Sequence, residues 1–307
     1  MIFMDLSIIV VSFNTKELLK QCLKSVFKQT KGINFEIIVI DNASIDRSPE
    51  IIQKESPKVV LIKNKKNLGF AAANNQGIKL ARGKYILLLN SDTVLKENSL
   101  KKMVDWMEKN QRVGISSCQL VYQNGRLQGT GGYFPNLLRI FNWMFFIDDL
   151  PVIKEIFKSF HPHEPKTSWL SSSYFQKERL QDWVMGAFFL MRKKVIDQIG
   201  LLDEEFFMYV EEVELCYRAK QAGWQVAYVP VTKIIHLARK SGSQAGALLG
   251  EYRGLIKFYQ KHKPFWQQPI LRIILKAGAV LRLLIFGIIR GDRDKKEIYK
   301  QSLKVCF

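Results

Sequence analysis

KYILLLNSD, residues 84–92, runs five large apolar residues straight into Asn90, Ser91 and Asp92. A short, continuously apolar run bounded by polar residues is the pattern of a strand covered on both faces of a sheet. The same design recurs upstream in SIIVVSFN (7–14), FEIIVIDNAS (35–44) and KVVLIK (58–63). Between these strands lie helical spacings. Thr15 to Gln29 places Leu18, Leu19, Cys22, Leu23, Val26 and Phe27 on one face, and further helices are expected near Arg47–Glu55 and Phe70–Ala81. A helix over 97–110 and a strand VGISSC (113–118) follow. Repeated β-α units of this length predict an α/β fold with a mostly parallel central sheet flanked by helices. Ligands on such sheets bind beyond the carboxyl ends of the strands. Three polar clusters fall there: residues 12–14, 41–44 and 90–92.

Bulk composition narrows the partners. The chain has 307 residues, 47% hydrophobic, with 47 Lys and Arg against 28 Asp and Glu, a formal charge of +19. That length suits one large α/β domain with an appendage. The charge points to anionic partners such as phosphorylated substrates or acidic lipid; no nucleic-acid recognition motif accompanies it. Cys22, Cys118, Cys216 and Cys306 form no CxxC pair, so no zinc ribbon or redox pair is written, and a reducing compartment is the simplest reading. The opening MIFMDLSIIVVSFN lacks a basic region and a small-residue cleavage site and reads as a first strand. No GxGxxG follows that strand, which argues against a dinucleotide-binding domain.

Residues 121–182 read as irregular: GTGGYFPN (129–136) is turn-rich, and 161–176 reads as a loop, an acceptor-side or lid insert. Regular patterning resumes with a strand WVMGAFFLM (183–191), helices near 194–199 and 211–222, and a strand WQVAYVP (224–230).

Each polar candidate carries two readings. Asp41 ends a strand and can accept a hydrogen bond from a nucleotide base or ribose, or serve its own turn. Asn67 and Asn74, in NLGFAAANNQGI (67–78), lie among small residues that let a ligand approach, or simply begin a helix. Asp92 can hold a divalent cation, Mg²⁺ or Mn²⁺, against a diphosphate, or cap a turn. Among the acids of GLLDEEFFMYVEEVELCYRAKQAG (200–223), Glu212 is the choice for a general base, with Glu211 in reserve; the dipole of the helix N-terminus accounts for acids there equally. His236 is either a metal ligand or a structural histidine, and Trp183 either stacks on a sugar or fills the core.

Taken in order, SIIVVSFN, IVIDNASIDRS, NLGFAAANNQGI, LLLNSD, WVMGAFFLMRK, GLLDEEFFMYVEEVELCYRAKQAGW and YVPVTKIIHLARKSGS resemble the family 2 glycosyltransferases, in particular the rhamnosyltransferase-like branch that builds bacterial surface polysaccharides. The resemblance spans residues 7 to about 243. It implies a GT-A fold and an inverting displacement that moves a sugar, in that branch rhamnose, from a UDP- or dTDP-sugar to a hydroxyl of a lipid-linked glycan. It implies that Asp41 contacts the base, that Asn90 and Asp92 occupy the metal motif, that Glu211-Glu212 supplies the base, and that His236 completes the metal site. Asn90 stands where the family has Asp, and Glu212 where it has Asp. Those departures keep alive a second reading, a catalytically silent sugar-nucleotide-binding assembly subunit.

The catalytic domain is thus expected over 1–245 and a basic helical tail over 246–307. From Glu251 onward 13 Lys and Arg face 4 Asp and Glu, an excess of 13 − 4 = +9. Within 270–291, Arg272, Lys276, Arg282 and Arg290 fall on about one third of a helix circumference, opposite Ile273, Ile274, Leu281, Leu284, Ile285 and Ile288. A spanning helix would bury those charges, so the tail is expected to lie on an anionic membrane surface, peripheral to the cytoplasmic face, or else to pack on protein.

Overall fold

The computed structural model describes residues 3–150, 158–161, 175–237 and 244–306. The loop expected at 161–176 falls mostly outside them. The chain divides into two compact units: Met1–Gly131 with Glu164–Phe207 and Glu212–Ser241, and Gly132–His163 with Met208–Glu211 and Gly242–Phe307.

The first unit is an α/β sheet structure. Its strands are β1 (Leu6–Ser12), β2 (Phe35–Asp41), β3 (Val60–Lys63), β4 (Tyr85–Leu89), β5 (Thr93–Leu95), β6 (Val113–Val121), β7 (Arg179–Gln181), β8 (Phe188–Arg192) and β9 (Gln225–His236). They are joined in the order β3-β2-β1-β4-β8-β6-β9-β5, with β7 also on β9. The first four strands pair in parallel, as the repeated β-α units predict. Helices α1 (Lys16–Gln29), α2 (Ser48–Glu55), α3 (Phe70–Leu80) and α4 (Ser99–Lys109) follow β1, β2, β3 and β5. On α1 the buried residues include Leu19, Cys22, Leu23 and Val26, spaced for one face, and they join the strand side chains in one core.

Two strand expectations need correction. Residues 183–191 are not one strand: Trp183–Val184 is a separate short piece, and β8 runs antiparallel between β4 and β6, so those two are not neighbours. Periodicity identifies a strand but carries no information on its direction. Nor does the chain leave the sheet at Pro230. β9 continues to His236 through a register shift between Val229 and Lys233, where a proline without an N–H breaks no regular ladder bond. Six of the described strands therefore share one direction, and the carboxyl ends of β1, β2, β4 and β9 lie at one edge.

Helices α6 (Lys193–Ile199) and α7 (Glu211–Gln221) complete this part of the chain. The second unit is helical: α5 (Leu137–Met144), α8 (Gln244–His262), α9 (Gln267–Arg282) with a π-helical continuation over Leu283–Ile289, and α10 (Arg293–Val305). The region read as irregular thus contains α5 and β7. Arg282 departs from the basic side expected of the tail. It is buried, donates from Nη2 to the carbonyl of Trp143 at 2.6 Å and from Nη1 to that of Met144, and lies 4.4 Å from the ring centroid of Phe146. Carbonyls at the end of α5 lack helical partners, and a guanidinium satisfies them. No described helix is long and apolar enough to cross a membrane.

Candidate active site

The carboxyl edge of the sheet is tied together by uncharged side chains. Ser12 and Asp41 are paired positions at the ends of β1 and β2. Ser12 Oγ lies 3.0 Å from Thr15 Oγ1, which donates to Ser91 Oγ at 3.1 Å. All three hydroxyls are buried, so a chain of short polar contacts fixes the loop after β1 against the end of β4. The backbone of Asn90 is held by its N–H on the carbonyl of Ala187 at 3.0 Å and by Thr93 Oγ1, which donates to its carbonyl at 2.8 Å.

Asn42, next to Asp41, organises a second network. Its amide nitrogen donates to Asn67 Oδ1 at 2.9 Å and to the carbonyl of Gly69 at 3.1 Å. Its oxygen accepts from Asn64 Nδ2 at 3.0 Å and from the N–H of Leu68 at 3.1 Å. Asn67 is thereby built into the loop before α3. Asn74 is buried and donates to the carbonyl of Phe70 one turn back at 2.9 Å; Asn75 reaches Leu202 O and Glu204 Oε1 at 2.8 and 2.9 Å. The 202–207 loop is docked on the start of α3 here, because the N–H of Phe70 also donates to Phe207 O at 2.6 Å. Gly69 has φ +86°, and a Cβ on it would fall 2.4 Å from that same oxygen, so no other residue fits the junction. Phe206 is buried and Phe207 exposed, five residues before Glu212.

At the ends of β2 and β4 two carboxylates carry buried acceptor atoms without a hydrogen-bond partner. Asp41, 3% exposed, accepts the N–H of Ser44 at 3.0 Å with Oδ2, while Oδ1 is buried with no hydrogen-bond partner. Asp92, 1% exposed, has no hydrogen-bond partner on either carboxylate oxygen. A buried ionised carboxylate without donors is costly, by several kcal/mol or more, unless a cation or another donor joins it. His236 is the neighbour: its Nε2 stands 3.4 Å from Asp92 Oδ1, and it pairs with Thr93 across the β5–β9 ladder.

The tautomer of His236 follows from Gln128. A turn over residues 122–126 reverses the chain after β6, and the N–H of Gln128 returns to the carbonyl of Leu120 at 2.9 Å. Its side-chain nitrogen donates to the carbonyl of His236 at 2.6 Å, which leaves Oε1 facing His236 Nδ1 at 2.8 Å. An amide oxygen only accepts, so Nδ1 donates to Gln128 and Nε2 is the ring nitrogen turned toward Asp92. Sequence reasoning missed Gln128, which sits in a segment without periodicity. Asp92 and His236 fit a divalent cation as two ligands, with a second-layer amide of the kind that fixes metal-binding histidines. Among the described residues no group of three or more His, Cys, Asp or Glu gathers for a metal. The described residues therefore form no closed cage, and phosphate oxygens and water would supply the other positions.

The other expected residues are placed as follows. Glu212 lies in the first turn of α7, partly exposed, and Glu211, in the second unit, is buried. Tyr209 and Val210, just before them, both have φ +73°, rare for any residue and a clear outlier for a β-branched one. Trp183 is 3% exposed and offers a sugar little ring surface.

A family profile described as glycosyl transferase family 2 matches residues 7–200. The chain is 25% identical over 308 residues to the N-acetylglucosaminyl-diphospho-decaprenol L-rhamnosyltransferase of Mycobacterium tuberculosis (strain CDC 1551 / Oshkosh), covering 95% of this chain and 96% of that protein. It is 24% identical over 238 residues to the rhamnosyltransferase WbbL of Escherichia coli (strain K12), covering 75% of this chain and 83% of that one. Among solved structures, GalNAc-T7 with UDP, GalNAc and Mn²⁺ is similar with a TM-score of 0.61 at 16% identity, over 99% of this chain and 56% of that chain. The mannosyltransferase PcManGT of Pyrobaculum calidifontis, with GDP-Man and Mn²⁺, is similar with a TM-score of 0.55 at 13% identity, over 99% of this chain and 86% of that one. These last two likenesses show a shared fold.

Proposed function

The chain is a member of glycosyl transferase family 2 with a GT-A fold, and on that premise we propose that it moves a sugar from a UDP- or dTDP-sugar to a hydroxyl of a lipid-linked glycan, with inversion, in the making of a cell-surface polysaccharide. The names of two relatives support rhamnose as the sugar, and one of them a diphosphodecaprenol-linked acceptor. The observation that carries the reading is the buried Asp92, both oxygens without a hydrogen-bond partner, with His236 Nε2 turned toward it at 3.4 Å.

In this reading Asp41 Oδ1 accepts an N–H of the nucleotide base; uracil and thymine both offer one. Asn67 shapes the loop beside it through Asn42, and Asn74 lines the start of α3. Asp92 and His236 hold Mg²⁺ or Mn²⁺, with Asn90 adjacent. When bound, the cation neutralises charge on the departing diphosphate. Glu212 takes the proton from the acceptor hydroxyl as its oxygen bonds to the anomeric carbon and the bond to the diphosphate breaks. Glu211 is the reserve base, and Trp183 contributes to the acceptor side through packing.

The test is transfer or donor hydrolysis across a panel of UDP-, dTDP- and GDP-sugars, with and without Mn²⁺. Glu212→Gln should lower kcat by about 10²–10⁴-fold with donor binding retained, the usual worth of a general base. Full activity in Glu212→Gln and Asp92→Ala together would sink the assignment of both residues. Metal-dependent turnover of any donor excludes the silent-subunit reading.

A further inference from the structure

We infer that the outward face of α9 and its π-helical continuation is a docking surface for an anionic lipid bilayer, lying in the plane of the interface. The inner face of α9 is fixed by the second unit itself: Leu271, Leu275, Gly278, Ala279 and Arg282 are buried. At ~100° per residue, the opposite side carries Ile270, Ile273 and Val280 within about 80° of one another. All three are exposed, and the stripe continues through Leu284, Ile288 and Ile289, with Ile273, Ile288 and Ile289 exposed at 66%, 61% and 79%. The turn leading into the helix adds Phe265 and Trp266, also exposed. Scattered apolar residues on a surface are ordinary, but a continuous ridge of aliphatics ending in an aromatic pair marks a contact surface.

Charge selects the occupant. Between Glu251 and Asp292 there is no acidic residue, while Arg253, Lys257, Lys261, Lys263, Arg272, Lys276, Arg282 and Arg290 are basic. Lys276 and Arg290 are exposed along one border of the stripe, where lipid headgroups would lie, while Arg272 beside them donates from Nη1 to the carbonyl of Cys306 at 3.1 Å. A second copy of this chain would bring the same cations against themselves, which disfavours self-association through this face. Arg282, expected from the sequence to share that border, instead points inward and anchors the helix to α5. The membrane face is therefore apolar at its centre and cationic at its edge.

The experiment is co-sedimentation of the full chain with neutral phosphatidylcholine vesicles and with vesicles containing 30% phosphatidylglycerol. Binding is scored without donor or metal, so it is read separately from the chemistry. The wild type should bind the anionic vesicles and not the neutral ones. Ile273→Ser with Ile288→Ser, both at exposed positions, should lower the partition coefficient about tenfold or more with an unchanged melting temperature. Lys276→Gln with Arg290→Gln should lower it by about fivefold per charge removed. Failure of the wild type to bind, equal binding to neutral vesicles, or unaltered binding of the double serine variant would each overturn the inference. So would a dimer in solution that the serine variant dissociates, since a second copy would then cover the ridge.

Discussion

Gln128 gives the sharpest test of the site. Gln128→Met removes both hydrogen bonds to His236 and leaves a buried Nδ1–H and a buried carbonyl without their partner. At about 1–3 kcal/mol for each orphaned group, the fold should lose about 2–6 kcal/mol, measured by urea unfolding. The ring also loses the contact that fixes its tautomer, so Mn²⁺ affinity, measured by electron paramagnetic resonance with UDP present, should fall about 10–100-fold. Gln128→Glu separates the two effects. Its carboxylate still accepts from Nδ1–H, so Nε2 stays turned toward Asp92 and Mn²⁺ binding should stay near the wild-type value. It cannot donate to the carbonyl of His236, so stability should still drop. If the two variants lose Mn²⁺ to the same extent, or if Gln128→Met keeps its affinity while losing stability, the tautomer argument is wrong.

Two further perturbations probe parts away from the metal ligands. Gly254 lies on α8 where an added Cβ would fall 2.6 Å from Val210 Cγ2 and 2.7 Å from the backbone oxygen of Tyr209. Ordinary helix glycines gain up to about 1 kcal/mol on replacement by alanine, whereas overpacking costs about 1–3 kcal/mol. Because a backbone oxygen yields little, Gly254→Ala should be destabilising in chemical denaturation, and a stabilised variant would show the strained 209–210 turn to be free to move. For Glu36, burial pushes the carboxyl upward, but hydrogen bonds from Arg82 and Ser7 prevail and hold it below the usual range. A depressed folded value means stabilisation present above the unfolded value, about 4.3, and lost as pH falls through the folded one. The stability difference between wild type and Glu36→Gln should therefore be full near pH 6 and shrink below about pH 4; a constant difference would remove the ion pair as its cause.

Much of the first unit is legible because continuous apolar runs such as 85–89 have few alternatives to a buried strand. Asp41 and Asp92 are legible for a related reason: they follow such runs, and a parallel sheet gathers its carboxyl ends. Direction is not legible, since an apolar run is the same read either way, and that is why β8 separates β4 from β6. Gln128 is illegible because its partner lies 108 positions further on and nothing local marks it. The same holds for Thr15 and Ser91, which are 76 positions apart. Arg282 misleads for a further reason. Helical angle alone puts it with the outward cations, and only α5, hidden in a stretch without clear periodicity, provides the carbonyls that draw it inside.

The pattern of satisfied and unsatisfied groups at the sheet edge bears on the proposed ligand. Hydroxyls and amides there are spent on one another: Ser12 on Thr15, Thr15 on Ser91, Asn42 on Asn64, Asn67 and Gly69, and Gln128 on His236. Those contacts make the loops rigid at little electrostatic cost. The atoms left over are carboxylate oxygens, Asp41 Oδ1 and both oxygens of Asp92. Leftover acceptors cannot be completed by another acceptor, so a phosphate placed directly against Asp92 would be repelled. In the proposed reading, a ligand at this edge brings an N–H to Asp41 and, with His236 Nε2 on one side of it, a positive charge to Asp92. A pyrimidine nucleoside diphosphate accompanied by a divalent cation meets both demands, and the same nucleotide without the cation meets only the first. Donor binding should therefore weaken sharply when the cation is chelated, while binding of the nucleoside alone, which has no diphosphate to be repelled, should be indifferent to it.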